Sequence, residues 1–244
     1  MPTRLRVAQP DDWLRKAMTA KTPASRARFA QKGLASRAPI DKTTHAMLLR
    51  QVYLANFEER RFARALQAAE SALEMGVLVD VFHQDAARAA IAAGDLDRAL
   101  LHLRSATRRG PADRRALHNW TLGGLLFFAR RYDESIAALE RAARWGTTDK
   151  PLYRAQLALV RVAAGQHVSD LQDIIDDLSR APCGQGYGRF VLGHLAYAAR
   201  EWAAARRYLQ AFVKRTESGR TAMVIALEPE LGMSRATLAK MAEN

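Results

Sequence analysis

The sequence predicts an all-α fold, an α-solenoid of about five stacked helix-turn-helix units with capping helices at both ends. Three observations lead there. Small anchor residues, each preceded by a bulky residue three positions earlier, recur at Ala65, Ala99, Ser135 and Ala205, with separations of 34, 36 and 70. A fixed period of that length marks helical-hairpin arrays, and the doubled last interval leaves room for one more, worn unit. Glycines in Leu122-Gly123 and Leu192-Gly193 stand twelve to thirteen residues before their anchors, where two helix backbones are to approach. Glycine costs about 1 kcal/mol in helix propensity against alanine, so close packing has to offset it. Alternating apolar and polar runs joined by Asn-Gly or Asp-Gly turns, the mark of strands, do not occur.

The elements follow in order. Met1 to Lys42 reads as a basic N-terminal arm and capping helix: an irregular start with Pro2, Pro10 and the pair Trp13-Leu14, expected as a flexible arm or a short folded-back helix. Next comes a basic helix with Arg26, Arg28, Lys32 and Arg37 around Ala27, Phe29, Ala30 and Leu34. The repeats run from Thr43 to Glu217. Gly94-Asp95 and Gly165-Gln166 supply turns inside hairpins, and Pro111 and Pro182 follow second helices where a helix stops. Ser218-Gly219 breaks the pattern and opens a C-terminal cap over residues 218–244. There, a helix from Thr221 to Glu228 is expected to halt at Pro229, and Ser234 to N-cap a last helix, Arg235 to Met241.

These residues resemble the tetratricopeptide repeat, a family of 34-residue helix-turn-helix units. The second unit carries Gly94, Leu96, Ala99, Leu103, Ala106 and Pro111; the third, Leu122, Gly123, Tyr132, Leu139 and Ala142; the fifth, Leu192, Gly193, Trp202, Ala205 and Leu209. The first keeps Phe62, Ala65, Ala69 and Ala72 but has Tyr53 in place of the small first-helix residue. The fourth fits with one residue inserted in its turn, putting Val168, Leu171, Ile175 and Leu178 inward. The resemblance implies a right-handed solenoid and is nearly silent on function, because such repeats serve many unrelated partners; a non-enzymatic adaptor for a polypeptide segment, with no cofactor, is expected because no convergent set of nucleophile, base and oxyanion donors is present. The resemblance further implies that positions two, five, nine and twelve of the first helices line a concave groove. Those positions are Met47, Arg50, Leu54, Gln84 and Arg88 at a cationic end, and Leu117, Trp120, Gly124, Phe127, Gly186, Phe190, His194 and Tyr197 at an aromatic one. Of these, Arg50, Leu54, Gln84, Arg88, Trp120, Phe127, Phe190, His194 and Tyr197 are the candidate partner contacts. Aromatic anchors with arginines for carboxylates suit an acidic or amphipathic peptide. The chaperone-tail clamp of the family is disfavoured, because Asp85 and Thr121 stand where it needs asparagine.

The bulk numbers narrow the class. With 244 residues and 49% hydrophobic content, the chain has enough apolar residues for a continuous core. A single cysteine, Cys183, excludes an internal disulfide, and no run approaches the ~18 apolar residues of a membrane span, so a cytoplasmic protein is expected. The alanine and arginine bias hints at a GC-rich bacterial source and a place in a bacterial multiprotein complex. The net charge is +13, of which residues 1–42 hold +7. That charge, with Arg108, Arg109, Arg114 and Arg115 around one inter-repeat link, makes a helical-repeat RNA binder the alternative function.

Side chains able to do chemistry are scattered. The six histidines, His45, His83, His102, His118, His167 and His194, form no His-x-x-x-His pair, so neither a catalytic nor a metal site is predicted, although His83 and His102 can approach within one hairpin. Asp170, Asp173, Asp176 and Asp177 fall on the polar side of a helix whose inward stripe is apolar. Gly184-Gln185-Gly186-Tyr187-Gly188 lacks the Lys-Ser or Lys-Thr ending and the preceding strand of a phosphate loop. It reads as a flexible link that seats Tyr187 against a neighbour.

Overall fold

The computed structural model describes residues 9–243, and every regular element among them is helical. The expected arm over Met1 to Ala8 lies outside the described residues. The packing divides the chain at Arg109/Gly110 into two compact units.

The first unit contains α1 (Pro10–Met18), α2 (Pro23–Leu34), α3 (Lys42–Glu58), α4 (Phe62–Leu73), α5 (Val79–Ala92) and α6 (Leu96–Arg109), each packed on the next. The capping helix is a full hairpin: α1 folds back on α2, and Ala17 and Ala30 meet Leu48 of α3 with no exposed surface. Gly33 sits there because a Cβ would lie 2.8 Å from the Leu48 methyls. Asp41 starts α3 by accepting the Thr43 and Thr44 amides at 2.9 and 3.0 Å, which also lowers its pKa.

The second unit contains α7 (Arg115–Phe128), α8 (Tyr132–Trp145), α9 (Lys150–Ala163), α10 (Leu171–Arg180), α11 (Gly188–Ala198), α12 (Trp202–Glu217), α13 (Thr221–Ala226) and α14 (Glu228–Ala242), with short 3-10 turns at Ala112–Arg114 and Pro182–Gly184. The anchor logic holds here. A Cβ on Gly123 would lie 2.6 Å from Leu139, and one on Gly193 2.5 Å from Leu209. The Ser135 hydroxyl donates to the Gly123 carbonyl at 2.7 Å across the same gap.

Five hairpins share one turn. Arg60, Gly94, Arg130, Gly165 and Arg200 all have left-handed φ, between 57° and 81°, and are spaced 34, 36, 35 and 35 residues apart. At the first, the Arg60 amide donates to Phe57 O at 3.0 Å and the Arg61 amide to Asn56 O at 2.8 Å, and the same pair of bonds recurs at the other four. This satisfies the last carbonyls of each first helix and reverses the chain. The second helix begins two residues later in four hairpins. In the fourth it waits until Leu171, six residues on, a longer insertion than the single residue expected. Ile174, Ile175 and Leu178 are buried there, while Val168 and Leu171 are only half-buried. With α10 short and late, α11 packs more on α9 than on α10.

The C-terminal cap differs from expectation. Pro229 opens α14 instead of stopping a helix, since proline suits the first helical turn. Ser234 is buried in the middle of that helix, so it is not an N-cap. The glycine-rich segment is not a loose link either. A Cβ on Gly184 would lie 2.0 Å from Leu178 O, and one on Gly188 2.3 Å from Cys183 O.

Candidate functional site

The candidate contacts on the first helices are drawn together within each unit by polar bridges between neighbouring hairpins. In the first unit, Asp85 of α5 is buried and Arg50 of α3 donates Nε–H to it at 2.7 Å, while Arg88 reaches its other oxygen at 3.2 Å. The arginines expected to hold a partner's carboxylates hold an internal one. Burial alone would lower the Arg50 pKa, but the Asp85 charge outweighs it and leaves it raised. Tyr53, behind them, is pushed up by burial and then by Asp85. The sequence shows Asp85 only as a departure from the chaperone-tail clamp, and its pairing with Arg50 of the preceding hairpin comes from the packing.

A second bridge joins three helices of the same unit. His83 Nδ1 lies 3.0 Å from His102 Nδ1, and His102 Nε2 lies 3.1 Å from Glu70 Oε1, itself held by Arg98 at 2.9 and 2.6 Å. If His102 donates Nε2–H to Glu70, its Nδ1 accepts from His83. That leaves His83 Nε2 as a bare, buried nitrogen, and it has no hydrogen-bond partner. Burial, then His102, Arg109 and Arg108, lower the His83 pKa to about 4.

In the second unit the bridge links three helices through the residue that precedes a fourth. Trp120 of α7 donates Nε1–H to Gln156 Oε1 of α9 at 2.6 Å; Gln156 Nε2 makes a long 3.5 Å contact to the Tyr187 hydroxyl; and that hydroxyl donates to Glu230 Oε1 of α14 at 3.2 Å. Tyr187, just before α11, also meets the Trp120 ring edge-on at 5.1 Å, so it does seat against neighbours. Burial raises Glu230 to about 7. Burial, and then the Glu230 charge, hold Tyr187 well above its ordinary value. Gln156, Tyr187 and Glu230 as one chain were not legible, because their positions are set by three separate hairpins.

Several expected contacts need correcting. Phe190 is fully buried, Phe127, Gln84 and His194 nearly so, and all four therefore fill the interior instead of facing a partner. His194, lowered to about 4 by burial alone, lies edge-on to Phe190 at 4.7 Å. Arg88 is exposed, and Leu54, Trp120 and Tyr197 are half-buried. Of the clustered acids, Asp170 and Asp177 flank Arg154 at 3.7 and 3.4 Å, and Asp176 pairs with Arg180 at 3.2 Å.

The fold defines the chain as an all-α protein of helical hairpins repeated in phase. No protein-family model and no curated protein matches it. Among solved structures, it is similar to a TPR repeats protein from Bacteroides fragilis, at 12% identity over 97% of this chain and 99% of that one, with a TM-score of 0.38. The repeat assignment rests on the chain's own five in-phase turns. No helix among the described residues is long and apolar enough to cross a membrane.

Proposed function

We propose that the chain is a protein-interaction scaffold without enzymatic activity, receiving a segment of another polypeptide within a bacterial cytoplasmic complex. The observation that carries this reading is the set of inter-hairpin bridges. They pin the first helices to one another before any ligand arrives, so a partner is met by contacts already in place. Of the expected groove residues, Arg88 and Leu54 in one unit and Trp120 and Tyr197 in the other keep surface for an acidic or amphipathic segment. The net charge of +13 favours such a partner and is also what an RNA-binding reading would rest on.

The test is purification of the full chain from its source cells at low and high salt, followed by crosslink mapping. One polypeptide in stoichiometric yield, crosslinked to the first helices and retained at high salt, is expected. Recovery of RNA alone, lost steeply as salt rises, would replace the scaffold with the nucleic-acid reading.

A further inference from the structure

Resting on the scaffold reading, we infer that the solvent face of α12 docks an acidic amphipathic helix of a partner protein, with Trp202 as the apolar anchor and Arg207 and Lys214 as carboxylate partners. Helix α12 buries Ala205, Leu209, Phe212 and Thr216. Its opposite side presents Trp202, Ala203, Arg206, Arg207, Gln210 and Lys214 along one shallow groove.

This face differs from those of the other second helices. The helices α4, α6, α8 and α10 each carry acids among their solvent-facing or half-buried residues: Glu70, Asp97, Asp133 with Glu134 and Glu140, and Asp173 with Asp177. In α12 the first acid is the last residue, Glu217, and it is committed to Arg235 at 2.5 Å. Half-buried Glu201 precedes the helix. Arg206 is tied to the Met241 carbonyl at 3.0 Å and Arg207 lies over the Tyr208 ring at 5.1 Å, so both guanidinium groups are positioned without a carboxylate from the described residues. Among the described residues, Lys214 has no ion-pair partner.

Trp202 is the second half of the argument. It occupies the place that Phe62, Leu96 and Tyr132 hold in their hairpins, and at 51% exposed it keeps more surface than half-buried Phe62 and Tyr132 or Leu96 at 40%. Tyr197 meets it edge-on at 5.3 Å and fixes its ring. A held, solvent-facing tryptophan beside arginines is the composition of a binding hot spot rather than of a solvated helix face. Trp202 to Lys214 spans about 18 Å at 1.5 Å per residue, enough to seat about three turns of a helix. Carboxylates spaced one turn apart on that helix match the cations, and an apolar residue matches the tryptophan.

The experiment titrates the full chain into a labelled helical peptide of glutamate, leucine and alanine, about four turns long. The same peptide with lysine for glutamate and a single-stranded oligouridylate serve as comparisons. The glutamate peptide is expected to bind, and Arg207→Glu with Lys214→Glu to weaken it at least tenfold at unchanged thermal stability. Trp202→Ala should weaken it severalfold, and the charge-reversal pair keeps the test valid if that variant fails to fold. Unchanged affinity in the charge-reversed variant overturns this docking face and leaves the scaffold reading standing. No binding of the glutamate peptide overturns the acidic partner on the same terms. Preference for oligouridylate, lost on charge reversal, overturns both.

Discussion

The junction between α10 and α11 gives the sharpest test of how this chain is held together. Replacing Gly184 with alanine places a Cβ 2.0 Å from Leu178 O and 3.0 Å from Leu178 C. Cβ atoms essentially never come within 3.0 Å of a heavy atom beyond their own residue and its chain neighbours, and the obstacle here is backbone, which cannot rotate away as a side chain does. The chain must open by about 1 Å where α10 ends, next to Leu178, which has no exposed surface. Overpacking that side chains can absorb costs about 1–3 kcal/mol; a forced backbone shift beside a full core belongs above that, at about 4 kcal/mol. A domain's whole stability is about 5–15 kcal/mol, so the loss would be plain. Gly186→Ala is the internal control. Its left-handed φ of 62° remains strained, but the closest atom to a Cβ is Arg215 Nε at 3.9 Å, so about 1 kcal/mol is expected. Urea unfolding of the full chain, followed by a signal from the second unit, reads both. If Gly184→Ala proves as mild as Gly186→Ala, the junction is a flexible link after all and the close-approach argument fails.

The remaining predictions use the polar bridges. Asp85→Ala leaves Arg50 and Arg88 without their carboxylate and should cost about 2 kcal/mol, less than a fully buried pair because Arg50 keeps some solvent; a double-mutant cycle with Arg50→Met checks the coupling. Trp120→Phe strands the buried Gln156 oxygen and should cost about 2 kcal/mol in the second unit, seen as a lower urea midpoint. The pKa of His83 is about 4 in the folded chain and 6.5 in the unfolded one, so the unfolded chain takes up the proton first. Stability of the first unit is therefore complete above about pH 6.5 and falls toward pH 4, and a flat urea midpoint across that window would count against the buried His83–His102 pair. Glu230 works in the opposite sense. Its pKa rises from 4.5 to about 7 on folding, so its stability is present below 4.5 and lost as pH passes 7; Glu230→Gln should raise the second unit's midpoint at pH 8 and leave it unmoved at pH 4.

Some of this was legible in single residues and some was not. The glycines at 94 and 165 announced two of the five hairpin turns, because glycine is the usual residue for a left-handed helix end. The other three turns are made by Arg60, Arg130 and Arg200, residue types that signal nothing of the kind, and only the backbone bonds reveal them. Gly123 and Gly193 were read correctly as close approaches, since their distance from the anchors repeats. For Gly184 and Gly188 the sequence points to a flexible link where the structure has a close approach, because the two explanations for such glycines look alike in sequence. The candidate site fared less well. Helix position alone made Phe190 and Arg50 equivalent, yet one is fully buried and the other is clamped by Asp85 from the next hairpin.

The amino-acid order alone determined that this chain is helical, that it folds as repeated hairpins, and where their anchors fall. These follow from periodicity and small residues, which act within about 35 residues of chain. Tertiary structure decided which first-helix side chains remain accessible, that His102 faces Glu70 and Tyr187 faces Glu230, and that Trp202 stands on a basic face where Glu217 is paired with Arg235. Those depend on how neighbouring hairpins come to rest against each other, and the burial and charge they create are properties of the packed helices, absent from any one of them.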